Sequence, residues 1–215
     1  MALYQIVVII TVVQSFLIGL FLLKYLDNKL KLVLGFVSFA VFTELSNLII
    51  IHVFRKTTIW IVHFYVMFEF LFWAVYYWYL LKPLLKRSLY LAILVLFEIY
   101  CIVNLIFIQN LYEYSVTRAV EGIILLLFSI VYFYKVMIDS ELEKPLKEPS
   151  IWINSAVLFY FGGSVFHYLL FNVLLQIDAT LLSKLNTYFF ISLNLLFYLS
   201  LSLSFYLQKL KAEKT

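Results

Sequence analysis

Long uncharged stretches separated by short clusters of charge dominate the chain. Walking from one cluster to the next gives seven apolar segments, at about 3–23, 32–54, 59–81, 88–108, 118–138, 151–174 and 187–207. Each has the length of about 20 mostly apolar residues that a bilayer crossing needs. Hydrocarbon supplies no water to satisfy backbone N–H and C=O groups, so each segment must close its own hydrogen bonds and is expected to be a helix. The runs are too long, and alternate too little, for barrel strands. The longest polar stretch, Asp139 to Ser150 (DSELEKPLKEPS), reads as a loop holding Pro145 and Pro149. The expected fold class is all-α, a polytopic seven-transmembrane-helix bundle forming a single transmembrane domain over 1–215, with no soluble domain.

Composition supports this class and narrows it. Hydrophobic side chains make up 65% of the 215 residues and charged ones 13%, against roughly 25% charged in soluble domains. A water-soluble monomer is excluded, and the lipid bilayer is the expected surrounding. The first apolar run follows Met1 with no basic residue ahead of it, so it is expected to be a span and not a cleaved signal peptide. The single cysteine, Cys101, leaves no internal disulfide and no cysteine-based metal site.

Charge placement gives an orientation, because loops on the cytoplasmic side hold the excess of Lys and Arg. The first, third and fifth connectors with the tail hold Lys24, Lys29, Lys31, Lys82, Lys86, Arg87, Lys135, Lys144, Lys147, Lys209, Lys211 and Lys214; the other side holds Arg55, Lys56, Arg118 and Lys184. Twelve against four predicts the N-terminus outside and the C-terminus cytoplasmic, in the cell membrane (bacterial inner membrane). The aromatic run Tyr76-Tyr77-Trp78-Tyr79 is expected to sit at the cytoplasmic headgroups. The net charge of +4 is accounted for by these lysines and gives no support to nucleic-acid binding.

Four carboxylates fall inside predicted spans: Glu44, Glu69, Glu98 and Glu121. An acidic side chain at a helix centre costs about 2.5–3.5 kcal/mol on insertion scales, so these groups are expected to face the bundle interior or a cavity. Glu44, Glu69 and Glu98 fall near mid-membrane and are candidates for one shared layer. His52, His63 and His167 and the amides Asn47, Asn104, Asn172 and Asn186 map to the outer half, which predicts a polar cavity opening outward. Glu44 and Asn47 share a face at i,i+3, as do Tyr65, Glu69 and Trp73 at i,i+4, and Asn194 belongs to a polar stripe on the last helix. With no Lys or Arg at mid-span, Glu69 is expected to be protonated or to share protons with His, Tyr and Asn neighbours. Arg118 is expected to pair with Glu121 across i,i+3. The ligand-binding or proton-relay candidates are therefore Glu44, Asn47, His63, Glu69, Glu98, Glu121, His167 and Asn194. Gly162 and Gly163 are read as a close helix contact or a hinge, with close contact favoured.

Several chemistries lose support. The last helix lacks the lysine that a retinal Schiff base needs, and no serine-hydrolase elbow, His-Glu-x-x-His helix or Gly-rich phosphate loop is present. A zinc site from His52, His63 and His167 would draw on three helices with no i,i+4 pair. No catalytic residue, metal or cofactor is therefore expected, and an enzyme is the least favoured class.

The segments IVHFYVMFEFLFWAVYYWYLL followed by KPLLKR, FTELSN, IWINSAVLFYFGGSVF and LNTYFFISLNLLFYLSLSLSF resemble a set of small seven-helix integral membrane proteins of Bacteroidota-type bacteria. The markers are Glu44, Glu69-Phe70 and Tyr160-Phe161-Gly162-Gly163. Members are often associated with two-component signalling genes, so the resemblance implies a sensing role. The leading expectation is a membrane sensor or receptor-like subunit with an outward-facing pocket for a small-molecule ligand. It would signal to a separate cytoplasmic partner docking on Lys82 to Arg87, Asp139 to Ser150 and Gln208 to Thr215. The alternatives are a proton-coupled transporter or channel using the same carboxylates, and a structural or assembly subunit of a membrane complex whose polar groups lock helices together.

Overall fold

The computed structural model describes residues 3–109, 116–138 and 144–214, all of it helix or short connection, with no strand among the described residues. The side chains of Asn172 and Asn186, and positions 139–143 of the fifth connector, lie outside the described residues. Charge and proline punctuate the helices as local chemistry requires. Helix α1 is Leu3–Phe21 and α2 is Asn28–His52, capped by the Asp27 carboxylate accepting from the Leu30 N–H at 2.9 Å. Helix α3, Ile59–Leu81, stops ahead of Pro83, and α4 is Arg87–Val103, ending in a wider π turn at Asn104–Ile108. Helix α5 is Thr117–Ile138, and α6, Pro149–Ile177, starts with proline in its first turn, where a missing N–H costs nothing. The short α7, Ala179–Lys184, is capped by Asp178 and runs through a π turn at Leu185–Phe189 into α8, Phe190–Ala212.

Five of these stretches are long and apolar enough to cross a membrane: Asn28–His52, Ile59–Leu81, Arg87–Ile108, Thr117–Ile138 and Thr180–Ala212. Their outward faces, and that of α6, carry large exposed apolar side chains, among them Phe42, Phe64, Leu96, Phe107, Leu127 and Phe159. A water-soluble protein rarely leaves so much apolar surface bare, and lipid is the solvent that suits it.

The helices close a ring. Packing runs from α1 to α2, α2 to α3, α3 to α5, α5 to α6, α6 to α8 and from α8 back to α1. Helix α4 lies outside this ring and is the least buried of the five candidate spans. It is held mainly by Phe97, whose ring lies 4.0 Å from that of Phe70, and by Tyr90, whose hydroxyl donates to the Ala74 carbonyl.

The two ends of the ring differ. At the lysine-rich end the interior is aromatic: Phe36, Trp73, Tyr76, Tyr77, Phe197 and Phe205 are almost fully buried, with Phe36 and Trp73 rings 5.1 Å apart and Tyr77 and Phe128 5.4 Å apart. Tyr76 and Tyr77 turn into the ring interior, where both are buried. Consecutive helical residues step about 100° round the axis, so a run of four faces every direction, and of this run only Tyr79 is exposed. Lys135 caps the α3 carboxyl end by donating to the Leu80 carbonyl at 3.1 Å, and Lys211 on α8 pairs with Glu148 before α6 at 2.7 Å. The other end, marked by Arg118 and the α2–α3 connection, is polar inside.

Small residues set the closest approaches. A Cβ on Gly122 would lie 2.5 Å from Val165 of α6, and one on Gly163 would lie 2.9 Å from Leu193 of α8. One on Gly162 would meet nothing nearer than Leu126 at 3.6 Å. Helix α6 continues unbroken through Gly162-Gly163.

Candidate functional site

Arg118 is the second residue of α5, yet it is only 7% exposed, because its side chain turns into the ring. Its Nη1 donates to Glu69 of α3 and lies 3.3 Å from the Glu121 carboxylate one turn along α5. Its Nη2 donates to the Tyr160 hydroxyl of α6 at 3.3 Å. The guanidinium carbon also stands 5.2 Å from the ring centre of Tyr65 and 5.8 Å from that of Tyr168, within the range in which an aromatic face attracts a cation. One side chain thus ties α3, α5 and α6 together. Glu69 does not rely on His, Tyr and Asn neighbours as expected; its partner is a full cation. The expectation failed because Arg118 begins near the end of its span and reaches inward on a long stem, a contact across 49 positions of sequence.

Arg118 forms part of the wall of a partly open cavity of about 220 Å³. Glu44 and Asn47 come from α2, Tyr65 from α3, Tyr160 and Tyr168 from α6, and Phe190, Asn194 and Tyr198 from the end of the last helix nearest α7. The cavity lies at the Arg118 end, and the aromatic interior fills the ring on the far side of Glu69, beginning with Trp73 one turn further along α3. The polar groups are unevenly satisfied. Among the described residues, nothing donates to the buried Asn47 Oδ1 atom, and the Glu44 carboxylate makes no hydrogen bond or ion pair. Asn194 donates its Nδ2 to the Phe190 carbonyl at 2.8 Å, which leaves its Oδ1 as an acceptor.

Of the eight candidate residues, then, Glu44, Asn47 and Asn194 line the cavity, and Glu69 and Glu121 stand behind its Arg118 wall. Glu98 is on the peripheral α4, half-buried and outside the cavity, so Glu44, Glu69 and Glu98 do not meet in one site. Its Oε1 and the Oε1 of Glu121 are both buried without a hydrogen-bond partner among the described residues. His63 is buried on α3, and His167 is buried on α6 with its ring 4.5 Å from that of Phe190; neither lines the cavity. His52 is exposed, and among the described residues no group of three His, Cys, Asp or Glu side chains could hold a metal ion. Asn104 acts locally. Its Nδ2 donates to Gln109 at 2.9 Å, and Gln109 accepts from the Val116 N–H at 3.0 Å, which closes the α4–α5 connection.

Sequence reasoning missed Tyr168 and the central position of Arg118. The signal for Arg118 was that it alone among the basic residues falls at the edge of an apolar run one turn from an intramembrane carboxylate. Comparison of the chain with protein-family models, with curated proteins and with solved structures finds no match.

Proposed function

We propose that the chain is a seven-helix membrane receptor-like subunit, N-terminus outside, that binds a small molecule in an outward-facing pocket. Its state would pass to a separate cytoplasmic partner. The observation that carries this reading is the cavity at the Arg118 end, with unsatisfied acceptors on one wall and a fixed ion-pair cluster on the other, backed by a closed aromatic interior. A cavity built this way admits a ligand from one end and offers no path through. The asymmetry of charge favours the same orientation: with Arg118 internal, the basic residues left at the cavity end are Arg55, Lys56 and Lys184, against twelve at the other. The lysine-rich connectors and tail are the proposed output surface, in keeping with the resemblance to small seven-helix proteins linked to two-component signalling.

The test is binding to the purified full chain in nanodiscs, using a mixed set of small amines, carboxylic acids, amides and sugars, with Asn47→Trp as the cavity-filling variant. Compounds that stabilise the unaltered protein and fail on Asn47→Trp are expected. Equal binding by both proteins would refute the pocket.

One observation favours a second reading, a proton-coupled transporter. Glu98, Glu121, Arg118 and Glu69 lead from α4 into the ring, and two of the carboxylates keep an unpartnered oxygen. This reading requires pH-gradient-driven flux in liposomes that Glu69→Gln abolishes, whereas the receptor reading requires none.

A further inference from the structure

We infer that the ligand of this cavity is a small primary ammonium compound, held by Glu44, Asn47 and Asn194 through its N–H donors and by the surrounding tyrosine rings through its charge. The inference rests on reading the cavity as a ligand site and names the chemistry that site selects.

The first ground is charge. Among the described residues the cavity wall has one cation, Arg118, and that cation is already engaged by Glu69, Glu121 and the Tyr160 hydroxyl. A carboxylate ligand would bring a third negative group to a cluster that already holds two. Glu44, by contrast, faces the same cavity with no cation and no hydrogen-bond donor from any described residue. A half-buried carboxylate so placed favours an occupant that brings positive charge.

Hydrogen-bond polarity points the same way. Asn47 Oδ1 is buried and has no partner among the described residues. One N–H of the Asn194 amide is committed to the Phe190 carbonyl, and its Oδ1 is left as an acceptor. Three acceptors, on Glu44, Asn47 and Asn194, therefore line the cavity from α2 and α8, and an –NH₃⁺ group has three donors to meet them. A quaternary ammonium has none and would leave Asn47 unsatisfied. Around these acceptors stand Tyr65, Tyr168, Tyr198 and Phe190. Aromatic faces attract cations, and two of these rings already flank the guanidinium of Arg118 in that manner. A bare monovalent metal ion would leave most of a cavity of about 220 Å³ empty.

The experiment measures binding to the full chain in nanodiscs with matched probes: 2-phenylethylamine, its trimethylammonium derivative, 2-phenylethanol and phenylacetate, plus sodium chloride alone. The primary amine is expected to bind best. Glu44→Gln is expected to weaken it by about tenfold or more, the loss of a charge-assisted hydrogen bond, and Asn47→Ala by less. Glu148→Gln, at the lysine-rich end, is expected to change nothing. Preferred binding of the alcohol or the carboxylate, lost in Asn47→Trp, would overturn the ammonium inference and leave the cavity as a ligand site. So would amine binding that Glu44→Gln leaves unaltered, or a sodium effect lost in Glu44→Gln with no amine effect. Failure of every probe to distinguish the unaltered protein from Asn47→Trp would overturn both.

Discussion

The Arg118 end and the lysine-rich end of the ring are built from the same helices with opposite chemistry. At the lysine-rich end, the buried rings of Phe36, Trp73, Tyr76, Tyr77 and Phe197 pack the interior, and the charged groups stay at the rim. At the Arg118 end, charge enters the interior, and the same helices leave a cavity beside it. Lipid tails are as apolar as the helices, so packing and polar contacts must hold the ring closed. One end uses ring-to-ring packing; the other uses an ion-pair cluster that ties α3, α5 and α6, with the cavity beside it.

If the cluster sets the helix spacing at the polar end, breaking it should have the largest effect. Arg118→Leu leaves Glu69 and Glu121 buried without a cation and is expected to cost about 5 kcal/mol in denaturant or thermal unfolding in detergent. Arg118→Lys is expected to recover only part, since one ammonium cannot reach Glu69, Glu121 and Tyr160 with a planar fork. Phe36→Ala attacks the other end, where the ring packs on Trp73 and Phe197. It is expected to cost about 3 kcal/mol with ligand affinity at the cavity unaltered, and a matching loss of affinity would show that the two ends are not independent.

Smaller effects sharpen the account of helix contact. Gly122→Ala drives a Cβ to 2.5 Å from Val165 and is expected to cost about 2 kcal/mol through overpacking. Gly162→Ala has room and is expected to be neutral or stabilising by about 0.5–1 kcal/mol, as a helical glycine replaced by alanine; thermal unfolding of the pair separates contact from mere composition. Ser129→Ala removes one hydroxyl that donates across helices to the Asn154 carbonyl at 3.0 Å, and about 0.6 kcal/mol is the expected loss.

The helices were legible because solvent imposes them: long apolar runs between charge clusters give α3 over 59–81 and α5 from the neighbourhood of Arg118 with no knowledge of partners. The last helix runs on past the expected 207, to Ala212, because lysines at a span's end keep good helix propensity while their charges reach the interface. What a linear pattern could not give was which helices are neighbours. Glu44 and Asn47 share a face by spacing alone, and the structure places both on the cavity. Glu69 with Arg118 depends on α3 lying beside α5 and α4 lying outside, a fact of tertiary packing. Gly122 escaped notice for the same reason, since one glycine in an apolar run is ordinary until Val165 is found against it.

Thiol accessibility tests most directly whether the cavity is open at one end of the ring and closed toward the other. On a Cys101→Ser background, Asn47→Cys and Ser204→Cys are exposed to a membrane-impermeant maleimide from each side of sealed, oriented vesicles. Asn47→Cys should react from the outer face only, and Ser204→Cys, fully buried in the aromatic half, should react from neither. Reaction of Asn47→Cys from the cytoplasmic face alone, or comparable reaction of Ser204→Cys, would contradict the account.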